Sequence, residues 1–380
     1  MKKIKIFLAK VYIFFLKILP IKKNRIYFVS NFGKRLSCNP RAYFEYLYKN
    51  YKKEFDFYYC LNYKEKDLPE DVKTGRYCSL KDLYYLYTSK YVVNNFRFHS
   101  LFKKRKNQVY IQTWHGAPVP IKAVEGAVEN KLSKEYLRDA KNDGKYIDIL
   151  TVGSKSVEKY FQKYFWTNGK IFNIGTPRYD ALVNANQNDV IIAKDKIKID
   201  KNKKLFLIAP TFDKNKKIEE SLMNVDEIIK TFKDYLKEDV QVAYRFHPNI
   251  AEEAKNIKLG NAINLTDISN VKDVVLAADY IVTDFSSILV DGMYANKKCI
   301  CYVENYNEFI KNNTLWLETD LFPIKICKTF EDMLLEIRDM GSYSPDYVME
   351  KINNNYGSTE NGSACEQLYA TMKNIKNYKG

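Results

Sequence analysis

From residue 25 to residue 303 the chain alternates short apolar runs with stretches of helix length, and it does so in two series. The first series of runs is Arg25–Ser30, Phe55–Cys60, Tyr91–Asn94, Val109–Thr113, Ile147–Val152 and Ile171–Ile174. Each is too short for a helix. Between them lie amphipathic stretches such as Arg41–Lys49, Leu80–Tyr87 and Ser154–Lys163. The second series has runs at Leu205–Ala209, Val240–Phe246, Tyr280–Thr283 and Cys299–Val303, separated by Val225–Leu236, Val271–Ala277 and Ser287–Ala295. A strand–helix alternation of this kind predicts parallel α/β sheets with crossover helices. Residues Asn184–Lys204, dominated by Asn, Gln, Asp and Lys, read as the linker between the two series. The expected division is a helix at 1–23, α/β domains at 24–190 and 200–345, and a helical tail at 346–380. SKYVVNNF and ADYIVTDF are a weak internal echo of two such halves.

The length of 380 residues suits two domains, and a 46% apolar content excludes a disordered chain. Lys and Arg number 62 against 46 Asp and Glu, a net charge of +16. That excess points to an anionic partner: a phosphate-rich substrate, an acidic membrane or nucleic acid. Nucleic acid is disfavoured, because no zinc, RNP or helix-turn-helix signature accompanies the charge. The seven Cys form no C-x-x-C pair, so buried free thiols in a reducing cytoplasm are expected rather than zinc or disulfides.

The N-terminal MKKIKIFLAKVYIFFLKILPIKKNR has a basic start and an apolar middle. Lys5, Lys10 and Lys17 interrupt the apolar run and no small-residue cleavage site follows, so it is not read as a signal peptide. It is too short and too charged to span a bilayer. Lys3, Lys10 and Lys17 share one helical face, Ile6, Phe7, Val11, Phe14, Phe15 and Ile18 fill much of the rest, and Lys22, Lys23 and Arg25 follow Pro20. This predicts an in-plane interfacial helix on an anionic membrane surface. A helix packed on the protein body is the other reading.

Three loops carry the candidate chemistry. His115 follows the run Val109–Thr113 in QTWHGAP, and His247 follows Val240–Phe246 in YRFHPN. In open parallel sheets, ligands bind beyond the carboxyl ends of strands, so both imidazoles stand where a site belongs. The third loop is TDFSSILVD, in which Ser286 or Ser287 starts a helix whose open N–H groups can hold an anion. Asp291 lies one turn further on the same side. Arg178, Pro210, Thr211 and Arg245 also fall at carboxyl ends of runs. Neither a P-loop nor a G-x-G-x-x-G is present, and no Asp-x-Asp suggests a metal, so a metal-independent reaction without a cofactor is expected.

At these loops the sequence resembles the CDP-glycerol glycerophosphotransferases, the teichoic acid primases and polymerases. The similar stretches run in order: SCNPRAYFEYL, SKYVVNN, YIQTWHGAP, IGTPRYD, APTF, RFHP, TDFSSILVD and NGSACEQL. The resemblance implies a GT-B architecture of two Rossmann-like domains facing across a cleft, the first for the acceptor and the second for the CDP donor. It implies transfer of glycerol phosphate or ribitol phosphate from CDP-glycerol or CDP-ribitol to a polyprenyl-diphosphate-linked saccharide, at the cytoplasmic face of the membrane. By position, His115 and His247 match the family's essential histidines. Trp114, Gly116, Ala117, Pro118, Arg178, Pro210, Thr211, Arg245, Phe246, Ser286, Ser287 and Asp291 match its donor-binding stretches. Two departures stand out. Lys122 comes one place later than the family's Lys, and Asp213-Lys214 replace a usual Trp-Arg.

The chemistry expected of this set is attack by an acceptor hydroxyl on the β-phosphate, with CMP leaving. His115 acts as general base, and His247 and Arg245 bind the transferring phosphate. Ser286 and Ser287 hold the donor phosphates and Asp291 the ribose. The rival enzyme reading is a GT-B glycosyltransferase using a nucleotide sugar.

Overall fold

The computed structural model describes residues 2–211, 217–247, 250–312, 314–316 and 318–375, without the side chains of residues 2–6 and 312. The Asp213-Lys214 departure and Pro248 therefore lie outside the described residues. The chain divides into two compact units. The first comprises Met1–Gly116, Val124–Asp180 and Thr359–Gly380; the second comprises Ala117–Ala123 and Ala181–Ser358.

The first unit is built on seven parallel strands: β1 (Lys22–Val29), β2 (Asp56–Cys60), β3 (Lys73–Gly75), β4 (Ser89–Asn94), β5 (Val109–Gln112), β6 (Ile149–Val152) and β7 (Lys170–Asn173). They lie in the order β3-β2-β1-β4-β5-β6-β7. β1 sits centrally, with Tyr27 opposite Tyr58 on one side and Val92 on the other. Strands covered on both faces need apolar residues at every position, which is why these runs are continuous rather than alternating. Phe28, Tyr59, Val93 and Ile111 form one core face with Tyr43, Phe44 and Leu47 of the helix Cys38–Tyr51. Leu368 and Met372 of the last helix, Ala364–Lys373, complete it.

The second unit repeats the plan with β8 (Lys204–Ile208), β9 (Val240–Tyr244), β10 (Ile263–Asn264), β11 (Tyr280–Thr283), β12 (Lys298–Tyr302) and β13 (Ile326–Cys327). Their order is β10-β9-β8-β11-β12-β13. Phe206, Val242 and Val282 pack with Ile228, Phe232, Met333 and Ile337 in its core. Both sheets are doubly wound Rossmann-like sheets, in which strand order reverses between the first and fourth strands.

The structure adds to or corrects the sequence reading at four points. The supposed linker contains the helix Gln187–Lys196, because Asn186 closes a capping box with Asp189 and Lys194 pairs with Asp279 at 3.0 Å. Its Asn and Asp residues are caps, which a compositional reading takes for a loop. The 346–380 tail is helical as expected, in Pro345–Tyr356 and Ala364–Lys373, but its two helices divide between the units. The helix Pro345–Tyr356 belongs to the second unit and the segment from Thr359 to the first. β3, β10 and β13 had no counterpart among the apolar runs. Finally, Arg25 is not a free basic flank. It is 2% exposed in β1, bonded to Asp56 and Thr88 at 2.8 Å, with its guanidinium 4.5 Å from the Tyr85 ring.

The N-terminal helix spans Lys2–Leu16. Ile13 and Leu16 are buried, and the Tyr12 hydroxyl donates to the Leu80 carbonyl at 3.2 Å. The helix is thus seated on the first unit through one side. Phe7, Leu8, Val11, Phe14, Phe15 and Ile18 stay exposed. Among the described residues no helix is long and apolar enough to cross a membrane.

Candidate functional site

In the first unit the strand order reverses between β1 and β4, and the residues just past their carboxyl ends meet there. The Asn31 amide donates to Asn95 Oδ1 at 3.1 Å. Next to this point β5 ends in Gln112-Thr113-Trp114-His115. Trp114 adopts the left-handed region with φ 47°. For a residue with a Cβ this costs about 1–3 kcal/mol and persists only where the surroundings enforce it. Here they do. The Trp114 amide donates to Gln112 Oε1 at 2.9 Å, and its carbonyl accepts from Asn39 Nδ2 at 3.1 Å. Its indole, 7% exposed, lies against Phe165 at 4.8 Å and stacks on the His115 ring at 4.3 Å.

The strained turn aims the His115 side chain. Nδ1 lies 2.7 Å from the Asn95 carbonyl. A carbonyl can only accept, so Nδ1 carries a proton, and in the neutral ring Nε2 presents the lone pair. Desolvation by the surrounding protein lowers the His115 pKa, and the Arg178 charge adds to this, while the Asn95 carbonyl acts the other way. The side chain itself remains solvent-exposed. A neutral imidazole with an open Nε2 at neutral pH is the form a general base needs.

Behind Trp114 lies a buried charge cluster. Arg97 donates to both oxygens of Glu125, at 2.9 and 2.5 Å, and to Asp143 at 3.3 Å. Its guanidinium sits 3.8 Å from the Phe165 ring centroid and 5.8 Å from that of Trp114. Burial pushes Asp143 up to about 7 against the pull of Arg97. The cluster supplies a rigid back wall for the Trp114–His115 turn.

Arg178 lies on the same side of the unit. Its Nη1 donates to the His115 carbonyl at 3.1 Å, and its backbone amide donates to Asn39 Oδ1 at 3.1 Å. The preceding turn is clamped by the returning C-terminal segment. Glu360 accepts from the Thr176 amide at 3.0 Å and from the Thr176 hydroxyl. Gly175, with φ +84°, passes so close that a Cβ there would meet Ala364 at 2.9 Å. Asp180 caps the last helix by accepting from the Ala364 and Cys365 amides at 2.8 and 2.7 Å.

In the second unit the order reverses between β8 and β11. Pro210 and Thr211 follow β8, Asp284 follows β11, and the Thr211 hydroxyl donates to the Asp284 carboxylate. Desolvation raises the Asp284 pKa, opposed by Thr211 and by the charge of Lys122. Lys122 is in this unit because Ile121 and Ala123 bond to Trp316 and Thr314 at 3.0 Å, on either side of its bridge to Leu315. Ala117 and Pro118 belong to the same short crossing. The helix Ser287–Tyr294 begins directly after Asp284-Phe285-Ser286, and its N-cap Ser286 makes no side-chain capping bond. Asp291 is buried within that helix. His247 is exposed just beyond β9.

A model of the CDP-glycerol:poly(glycerophosphate) glycerophosphotransferases matches residues 11–374. The chain belongs to that family. It is 28% identical to the teichoic acid poly(glycerol phosphate) polymerase of Bacillus spizizenii over 371 residues, covering 92% of each chain. It is 24% identical to the teichoic acid glycerol-phosphate transferase of Staphylococcus aureus over 367 residues, covering 92% of this chain and 93% of that one. With the poly(glycerol phosphate) polymerase of Bacillus subtilis it shares 27% over 351 residues and spans 45% of that longer protein. The solved wall teichoic acid polymerase TagF superposes with a TM-score of 0.82 at 22% identity, over 99% of this chain and 96% of that one. That likeness carries the fold, a GT-B type pair of Rossmann-like domains.

Within this glycerophosphotransferase-family chain, the residues singled out by sequence fall into two groups. Trp114, His115, Gly116 and Arg178 gather in the first unit; Ala117, Pro118, Pro210, Thr211, Arg245, Phe246, His247, Ser286, Ser287 and Asp291 belong to the second. Two of them are occupied with structure. The Phe246 ring is 2% exposed and stacks on Tyr244, so it serves the core. Arg245 is 6% exposed and its Nη1 donates to the Leu265 and Ile268 carbonyls at 3.0 and 2.6 Å, tying the end of β9 to the segment after β10. Sequence reading missed Asn39, Asn95, Asp284 and Glu360. Asn39 and Glu360 stand in or beside stretches that carry the family resemblance, SCNPR and NGSACEQL, but nothing in either stretch announces a partner far away in the chain.

Proposed function

We propose that this protein transfers a polyol phosphate from a CDP-activated alcohol to a lipid-linked acceptor in teichoic acid or related polymer synthesis, releasing CMP. The acceptor hydroxyl forms a bond to the β-phosphorus, the bond from that phosphorus to the oxygen of CMP breaks, and the hydroxyl proton passes to Nε2 of His115. The observation that carries this reading is the 2.7 Å contact of His115 Nδ1 with the Asn95 carbonyl, which leaves Nε2 as the basic atom. Proton transfer to a placed side chain contributes about 10²–10⁴-fold to rate. In the second unit, Ser286 and Ser287 at an uncapped helix start hold the donor phosphates, with Lys122 nearby in charge. His247 hydrogen-bonds the transferring phosphate, and Arg245 fixes the strand end from which it projects. Asp291 serves the ribose.

The acceptor is membrane-bound, and the exposed apolar side of the helix Lys2–Leu16 gives the protein a peripheral hold on the cytoplasmic face. Neither a metal nor a cofactor has a part in this reaction. The test is CMP release from a panel of CDP-alcohols by wild-type, His115→Ala and His247→Ala proteins. Both variants should fold and lose turnover. Near wild-type turnover in either folded variant overturns the mechanism.

A further inference from the structure

Asn39 lies in the first turn of the helix Cys38–Tyr51, is fully buried, and uses its carboxamide on two loops far apart in sequence. Nδ2 donates to the Thr113 carbonyl at 2.9 Å and to the Trp114 carbonyl at 3.1 Å. Oδ1 accepts from the Arg178 backbone amide at 3.1 Å. Both protons and the oxygen of one planar group are thus engaged, and the group faces the two segments that flank His115 and Arg178. The same two segments meet once more, where Arg178 Nη1 reaches the His115 carbonyl at 3.1 Å.

These bonds fix a backbone that would otherwise relax. Trp114 sits at φ 47° and is followed directly by His115. If the peptide at Trp114 turned back toward an ordinary conformation, the His115 side chain would swing with it, and the 2.7 Å contact from Nδ1 to the Asn95 carbonyl would be lost. A buried carbonyl held by a donor cannot turn away without leaving both groups unpaired. Only a carboxamide fits here. A carboxylate lacks the donors for two carbonyls, and an aliphatic side chain lacks the acceptor for the Arg178 amide.

We propose that Asn39 is a positioning residue for transfer: its carboxamide holds the Trp114–His115 turn and the Arg178 backbone in one frame, so that His115 Nε2 stays at the place where the acceptor hydroxyl reacts. This rests on the reading of His115 as the base. Asn39 does not touch substrate. Its loss therefore acts on the geometry of the base and leaves the donor phosphates in the second unit undisturbed. Misplacement of a reacting group by about 1 Å lowers rate by about 10²-fold.

The test uses the full chain and CMP release from CDP-glycerol with a soluble acceptor analogue. Asn39→Ala and Asn39→Asp are measured for kcat, for donor KM, and for CMP binding by calorimetry. The expected result is a fall in kcat of about 10²-fold, with KM and CMP affinity held within about threefold. Asn39→Asp keeps the volume and the Oδ1 acceptor but turns a second oxygen toward two carbonyls, so it should lose kcat as well. It also stands in for the alanine variant if that one fails to fold. A folded variant with wild-type kcat, or a loss confined to KM, overturns the proposal. His115→Ala run in parallel separates the failures. If it keeps turnover, the base assignment itself is wrong. If it is inactive while the Asn39 variants stay fully active, only the positioning role falls.

Discussion

His115 donates from Nδ1 to the backbone carbonyl of Asn95 at 2.7 Å, across twenty residues of chain. Asn95 is the residue just past β4 and His115 stands three residues past the end of β5, so the contact joins the ends of adjacent strands. It fixes one tautomer of the neutral ring and one ring orientation through a backbone carbonyl. In the neutral ring Nε2 carries the lone pair; desolvation and the Arg178 charge lower the His115 pKa, against the Asn95 carbonyl, which raises it.

The first prediction follows from that shift. A base whose pKa lies below the usual 6.5 is inactivated only when the pH falls through the lowered value. The rate of CMP release should be flat around neutrality and lose activity on an acid limb with an apparent pKa below about 6.5. Replacing the nearby charge with Arg178→Gln should move that limb upward. A limb above 7 in the wild-type protein would contradict the assignment of His115.

The second concerns the helix start at Ser286. Ser286→Ala with Ser287→Ala removes two hydroxyls from an N-terminus whose cap makes no side-chain bond. Hydrogen bonds to a charged group contribute about 1.5–3 kcal/mol, so CDP-donor affinity should fall at least tenfold by calorimetry. Unchanged affinity would remove the site. EDTA should leave the rate of the wild-type protein nearly unaltered, and a strict divalent-metal requirement would count against the proposed chemistry.

Glu360 provides a pH-dependent hold on the C-terminal segment. Burial pushes its carboxyl up to about 8, against the opposing bonds from Thr176. In the unfolded chain the group titrates near 4.5, so between these values the folded state holds the extra proton. Its contribution to stability is complete below about 4.5 and is lost as pH rises through about 8. The melting temperature of the wild-type protein should drop more steeply over that window than that of Glu360→Gln. Protection of the amides at residues 359–365 relative to their intrinsic exchange rate should fall over the same window in the wild type and not in Glu360→Gln. Parallel pH curves would refute this.

The N-terminal helix gives a fourth. Phe14, Phe15 and Ile18 are each at least 60% exposed, whereas Ile13 and Leu16 are buried. Changing Phe14, Phe15 and Ile18 together to Ser should leave the melting temperature within a few degrees, because none of them packs on the body. Burying such side chains in a membrane is worth about 1.5–3 kcal/mol each, so the triple variant should no longer float with anionic vesicles. Wild-type protein that fails to float would show that the helix is only part of the folded body.

The sequence by itself determined the two Rossmann-like sheets. Strands buried on both faces must be apolar throughout, and runs such as Leu205–Ala209 and Tyr280–Thr283 stand out from any neighbouring helix. It also determined where His115, His247 and Ser286 would lie, since each follows such a run directly. The short edge strands β3, β10 and β13 were not legible, because two or three residues carry no periodicity. The helix Gln187–Lys196 was hidden by its own caps. What only the tertiary structure decided is how the site is held. Asn39 reaches Arg178 across 139 residues and Glu360 reaches Thr176 across 184. Side chains of this kind satisfy backbone groups at distant loops, and their partners are set by which strands lie adjacent and where the chain returns. No local pattern encodes that. The sequence placed the candidate residues at strand ends, and packing of the sheet and the returning tail supplied the bonds that hold His115 and Arg178 in place.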